Sequence, residues 1–492
     1  MTDICDVVVI GGGFGGTLVA MCLADQGRDV VVIERETHPR FATGESSTPL
    51  ANWVLRDLAN RYGLDELHPL TRYGTWKEEH PEVGVGPKRG FSFFAHRAGK
   101  PFAPCDDRSN ELLVAASPSE AEADTQWLRS DVDGFFAERA RSRGVEVLEA
   151  TEVVEARRDQ GWRLGVRASD GSVRTLRADF VIDGSGGGSP IPGALGLKDD
   201  RATLATSSRA LFAHFEGVKP WAAVYESVGG NTGPHPFPSD DAALHHVLPE
   251  GWMWMLRFDH GVTSVGALLT SDETGLPAEE EWSRLLGRYP SVSAQMAEAR
   301  SLRPLARTGL LQRRLRPAAG PDWVLLPGAA YFIDPFLSPG NAHTLFGVER
   351  IARMFESWPN TEKIASALSR YDEALQREID FLDALVHGSY SAFNSFSVLS
   401  AFSMYYFAGA ICSEVRREKG EAEPSDGFLF THDDEFRSRV HSAYLDVLNL
   451  TRDGPAEPEA AANFAERVRV DIEPYNPAGL CDPGKLNLYP YV

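Results

Sequence analysis

Apolar residues form short unbroken runs near the N-terminus, alternating runs through the middle and three-and-four spacing towards the C-terminus. Val7 to Ile10 reads as a buried strand, a helix follows to Gln26 with Gly27 as its stop, and a second strand covers Asp29 to Ile33. Further on, Asn52 to Tyr62 is helical, Val83 to Phe94 is strand-like and Asp131 to Arg143 is an amphipathic helix. The stretch from Val145 to Ile182 predicts successive strands with turns at Asp159–Gly161 and Asp170–Gly171. Residues 205–305 hold further strands. In one of them, "GWMWMLRF", alternation turns Trp252, Trp254 and Leu256 to one face and Met253, Met255 and Arg257 to the other. A strand, a proline-broken loop and a helix starting near Asn341 come next, and then Ile364, Leu368, Tyr371, Leu375, Ile379, Leu382 and Val386 make an apolar helix stripe. Pro424 and the run from Pro455 to Pro458 mark loops.

The first turn has a chemical reading. Gly11, Gly13 and Gly16 stand at the spacing GxGxxG between strand and helix, which permits a tight turn, close approach of a diphosphate to backbone N–H groups, and close helix-on-strand packing. Glu34 ends the second strand about twenty residues on, where a carboxylate accepts hydrogen bonds from a ribose diol. A second glycine run, "DFVIDGSGGG", also follows a strand. A leader peptide is a poor reading because Asp3 and Asp6 put negative charge before the apolar run, and the glycines argue against a membrane span. The fold class is therefore α/β, with a Rossmann-like nucleotide-binding unit.

The 492 residues, 43% of them hydrophobic, exceed one ordinary domain. A net charge of -21 disfavours nucleic acid and anionic membranes as partners. Cys5, Cys22, Cys105, Cys412 and Cys481 are scattered and odd in number, which predicts neither a disulfide framework nor a metal cluster, and suits a reducing cytoplasm. No fixed-period repeat occurs, and no uninterrupted apolar run long enough for a bilayer is expected.

In order, "GGGFGG", Glu34, "HPRFATGES", "WLRSDVD", "DFVIDGSGGG" and "FIDPFLSPG" resemble the FAD-dependent halogenases of phenol and pyrrole type, within the FAD-dependent aromatic-hydroxylase superfamily. The resemblance implies an FAD-binding module over 1–355, with a substrate-side β-sheet inserted at roughly 70–130 and 200–305, and a helical region over 356–492. It implies that Gly11, Gly13 and Gly16 hold the diphosphate and Glu34 the ribose. Arg40, Glu45, Ser46 and Arg129 would lie beside the cofactor, Asp334 by the ribityl chain, and the helix after Gly340 would point at the flavin. Alone, Arg129 reads as a solvated helix-terminal charge.

The implied reaction uses reduced FAD, O2 and chloride or bromide, through a flavin hydroperoxide and hypohalous acid, to halogenate an electron-rich aromatic in secondary metabolism such as antibiotic biosynthesis. Lys88 in "GVGPKRGFSFF" matches the family lysine that receives the oxidant, a task suited to an amine whose lone pair desolvation frees; Arg89, always protonated, is the competing candidate. Trp252 and Trp254 would keep the organic substrate from the flavin, and Gly340 and Asn341 would offer N–H groups to halide. No metal is implied.

Arg257 replaces the proline of the family's W-x-W-x-I-P signature, Pro339 has no N–H to donate at the halide turn, and Ala329 stands where an acid is common. Leu337 replaces the glutamate of tryptophan-type members, which points to phenol-type substrates. The alternatives are a halogenase-like monooxygenase or oxidase that does not use halide, and a noncatalytic flavin-binding partner. One dinucleotide fingerprint implies a separate flavin reductase; the aromatic arrives free or bound to a carrier protein.

Overall fold

The computed structural model describes residues 2–270, 275–423 and 425–492, so Pro424 lies outside the described residues. The opening unit is β1 (Thr2–Ile10), α1 (Phe14–Asp25) and β2 (Val30–Ile33). Helix α2 (Pro49–Arg61) starts at Thr48, whose hydroxyl accepts from Ala51 N, with Pro49 at the position where a missing N–H costs nothing. Then come β3 (Val85–Lys88), β4 (Gly90–Ala95), β5 (Glu111–Ala115), β6 (Asp124–Trp127), α3 (Arg129–Ser142) and β7 (Glu146–Leu148). A hairpin, β8 (Thr151–Arg158) and β9 (Trp162–Ala168), leads to β10 (Val173–Asp183).

The second sheet draws on β11 (Arg209–Glu216), β12 (Ala243–Leu248), β13 (Gly251–Arg257) and β14 (Val262–Leu269). The chain returns to the first sheet with β15 (Trp323–Leu325), then runs through α4 (Gly340–Phe355), α5 (Thr361–Ser391), α6 (Phe396–Glu418), α7 (Asp434–Leu450) and α8 (Pro458–Ile472).

In the first sheet β15, β10, β1, β2 and β7 lie side by side and parallel. Covered on both faces, such strands need continuous apolar runs, and Val7, Val8 and Val9 are fully buried. The second sheet orders β11, β14, β13, β12, β4 and β5, and Leu488–Tyr489 near the C-terminus adds an edge beside β5. The strand-like stretch from Val83 divides at Arg89, so β3 pairs with β6 while β4 joins the second sheet. Lys88 turns into the interior, and the Arg89 guanidinium turns the other way onto Ser117. Gly86 makes this possible, since a Cβ there would overlap the Arg257 carbonyl oxygen.

The predicted stripe on α5 is buried at all seven positions. Helix α6 corrects one expectation: it is long and apolar enough to cross a bilayer by composition, but 83% of its apolar window is buried inside the protein, as in a core helix. Two paired ionic groups tie the C-terminal helices to α4. Glu378 accepts from Arg350, His343 and the Phe428 amide, and Arg417 bonds Glu349 and Asp57.

Replacing Gly86 with alanine forces β3 off β13 and is expected to destabilise the protein by about 1–3 kcal/mol, an overpacking cost. Urea unfolding checks this; an unchanged midpoint contradicts it.

Candidate active site

A cavity of about 660 Å³ opens where β1, β2 and β10 end. Gly11 turns at φ +103°, and a Cβ there would lie 2.6 Å from Gly184 O, so the two glycine turns close on each other as only glycine allows. A Cβ at Gly16 would overlap Gly11 O, so α1 packs directly on the turn. Gly13 precedes the first turn of α1, with the guanidinium groups of Arg40 and Arg129 beside it. Arg129 binds both oxygens of Asp133 at 2.9 Å and donates to the Thr43 and Gly44 carbonyls, while Asp133 accepts from Phe14 N at 3.1 Å. These residues join the phosphate-type turn to the loop at 43–46. Glu34 accepts from Gly12 N at 2.9 Å and faces Arg40 at 3.3 Å. Glu45 holds His214 at 2.7 Å, and Ser46 accepts from the Ser338 hydroxyl at 3.1 Å.

All ten residues expected at the cofactor line this cavity except Gly16, which lies beneath it. The arrangement fits FAD: glycine turns without side chains, two flanking guanidiniums for a diphosphate and a carboxylate at the end of β2. Ahead of α4, Leu337 and Ser338 take φ of 64° and 56°, a left-handed pair that non-glycine residues hold only under constraint. Pro339 caps the helix without an N–H, Gly340 faces open space, and the buried Asn341 Nδ2 has no hydrogen-bond partner among the described residues, a donor available to an anion or a ring carbonyl.

Asp334, expected beside the ribityl chain, lines the cavity wall. Its four acceptor directions are taken by Ser208 Oγ (2.7 Å), Tyr390 OH (2.7 Å), Phe336 N (3.0 Å) and Trp252 Nε1 (3.2 Å). Burial raises its pKa to about 6 against the pull of those bonds. It anchors an aromatic layer, in which Trp252 meets His245 at 5.0 Å and Phe336 at 5.3 Å, and Phe93 stacks on His245 at 4.3 Å. Trp252, Trp254, Leu256 and His245 face the cavity, whereas Met253 and Met255 sit in the second sheet's own core, as the alternation predicts. Arg257 points away to Asp240 at 3.7 Å.

Lys88 is not part of the cavity wall. It is fully buried, its amine 4.1 Å from the Phe91 ring, which in turn lies 6.1 Å from His245 at the cavity wall. Among the described residues its one hydrogen bond is to the Ser47 carbonyl, next to cavity-lining Ser46. Burial lowers its pKa to about 7, opposed by Asp124, which sits directly across on β6. Burial in turn drives the Asp124 carboxyl well above its ordinary value and His245 below its own, to about 3. Asp133, His245, Asp124 and Tyr390 escaped sequence reasoning, since only pairing between distant strands and helices reveals them.

A family model described as "FAD dependent oxidoreductase" matches residues 6–332. The chain is 28% identical over 487 residues to monodechloroaminopyrrolnitrin halogenase PrnC of Pseudomonas fluorescens, covering 93% of this chain and 83% of that protein. It is 31% identical over 422 residues to tetracycline 7-halogenase of Kitasatospora aureofaciens, covering 82% and 73%. The solved structure of halogenase PltM with phloroglucinol and FAD shares the fold, with a TM-score of 0.86 and 23% identity over 98% of this chain and 99% of that one.

A lysine whose folded pKa falls from 10.5 to about 7 costs stability in full below pH 7, and the cost fades as pH rises towards 10.5. Lys88→Met is therefore expected to raise Tm by roughly 3 °C or more at pH 6, with the gain shrinking by pH 10; thermal melts at both values check it, and a lower Tm at pH 6 contradicts it.

Proposed function

The chain belongs to the FAD-dependent oxidoreductases and, within them, to the flavin-dependent halogenases, and we propose on that premise that it installs chloride or bromide on an electron-rich aromatic of phenol or pyrrole type. Bound FAD, reduced and exposed to O2, supplies the oxidation of halide to hypohalous acid. The protein's own residues then separate that oxidant from everything but its target. Gly340 and the two nitrogens of Asn341 receive halide at the start of α4, where the helix dipole favours an anion; the Asn341 side chain makes up for the N–H that Pro339 lacks.

Trp252, anchored on Asp334, and His245 and Phe336 beside it keep an organic ring out of the cavity, while a molecule the size of hypohalous acid passes. Lys88 meets it on the far side. An amine that titrates near neutrality offers both a lone pair and a proton, which an exposed lysine does not at pH 7. The observation that carries this reading is the buried Lys88 amine, bonded to the Ser47 carbonyl and linked through Phe91 to His245 at the flavin-type cavity. Pro339 favours the second reading, a halide-independent oxygenase. The aromatic is proposed to arrive free or on a carrier protein, as the name of a related Pseudomonas fluorescens enzyme, a pyrrole-2-carbonyl-carrier-protein chlorinase, suggests.

Supplied with reduced FAD, O2 and bromide, the wild type is expected to brominate a phenol. Lys88→Met is expected to lower that yield by at least about 10²-fold while FAD binding and peroxide release persist; wild-type bromination by Lys88→Met removes the lysine from the chemistry. Reduced FAD is proposed to come from a separate flavin reductase, so NADPH alone is expected not to bleach the bound flavin in a stopped-flow trace. Rapid bleaching would contradict that.

A further inference from the structure

Strand β6 carries polar side chains that neither the cradle nor the aromatic layer uses. Asp124 and Gln126 are two residues apart and so face the same side. In the antiparallel register Lys88 stands opposite Asp124 and Gly86 opposite Gln126. Both side chains are buried, 2% and 0% exposed. Asn52 of α2 donates to Asp124 Oδ1, which fixes the carboxyl group and leaves its second oxygen unbonded among the described residues. Neither the oxygen nor the nitrogen of the Gln126 carboxamide has a hydrogen-bond partner among the described residues, and the same is true of Ser47 Oγ and Asn52 Oδ1. Ser46, bridged to Gln126 across the backbone, lines the flavin-type cavity, so the strand leads from that cavity towards Lys88.

Buried polar atoms without partners lower stability, and native proteins satisfy nearly all of them. Here several cluster on neighbouring segments beside one reactive amine. Gln126 Oε1 and Asn52 Oδ1 accept, and the Asp124 carboxyl and Ser47 hydroxyl donate or accept, so the matching ligand carries groups such as O–H that supply a hydrogen and can also take one. We propose that Asp124 and Gln126 form the recognition site for the aromatic acceptor, taking the O–H or N–H groups of the ring and holding an electron-rich carbon next to Lys88. The substrate class is an aromatic with free hydroxyl, amino or pyrrole N–H groups. Those groups also feed electron density into the ring, so one set of contacts selects for reactivity and for position. The inference rests on the halogenase reading for what Lys88 delivers, but not for what the site binds.

Phloroglucinol and 1,3,5-trimethoxybenzene test it, since methylation removes the donor hydrogens and leaves an electron-rich ring. In calorimetric titrations of FAD-loaded protein, phloroglucinol is expected to bind at least about tenfold more tightly than the ether. Gln126→Leu is expected to weaken phloroglucinol about tenfold and narrow that ratio, while raising Tm, because no side-chain hydrogen bond among the described residues is lost and a buried amide is removed. A residue with a merely structural role would lower Tm and leave the ratio alone. Asp124→Asn, which keeps an acceptor oxygen and the shape, is expected to retain part of the preference. Equal binding of the two probes by the wild type, or unchanged phloroglucinol affinity in Gln126→Leu, overturns the proposal. A protein that binds by these rules but forms no halogenated product defeats the halogenase reading alone, and one that brominates yet ignores O-methylation defeats this site alone.

Discussion

The Asp334 carboxylate holds the functional half of the molecule in register. Its four donors come from the start of β11, from Trp252 on β13, from the loop ahead of α4 and from Tyr390 on α5, so the second sheet, the cavity rim and the C-terminal helices meet on one side chain. A buried carboxylate with every acceptor direction filled is a rigid joint, because losing any one donor leaves a desolvated oxygen behind. What it fixes is the Trp252 indole, and through it the layer with His245, Phe336 and Phe93 at the cavity wall. The proposed separation of an oxidising cofactor from an organic acceptor would thus rest on packing, with its position set by hydrogen bonds.

Two kinds of buried polar group occur in this fold, and they serve different ends. Glu378 with Arg350 and His343, and Glu349 with Arg417, are paired on several sides and join helix to helix. Breaking such a pair strands a charge, so they are structural couplings. Lys88, Asp124 and Gln126 are different: they are equally buried but sparsely bonded, and burial shifts both ionisable members towards their neutral forms. Local rules of polar satisfaction fail there, as they do where a protein gives up stability for chemistry.

Much of this was legible in the sequence where the signal is local. The glycine spacing, Glu34, the alternation of Trp252, Trp254 and Leu256 and the stripe on α5 each follow from strand or helix period within a few residues, and the structure keeps them. What depends on pairing between distant segments was not. The division of β3 from β4 at Arg89 is set by which strands lie alongside, and Asp124 meets Lys88 only through the register of β3 with β6. Asp334 was placed at the right cavity, but its role comes from donors that three remote segments deliver. Helix α6 has a membrane-like composition and a buried position because four other helices and the second sheet surround it, a fact its own residues do not carry.

Turnover under 18O2 with reduced FAD, bromide and phloroglucinol tests the central claim, that a small oxidant passes the Trp252 layer and the organic ring does not. Mass spectrometry is expected to find bromine on the ring and no 18O bonded to carbon. A ring that carries 18O in place of bromine would mean that the acceptor reaches the flavin directly, and would contradict the account.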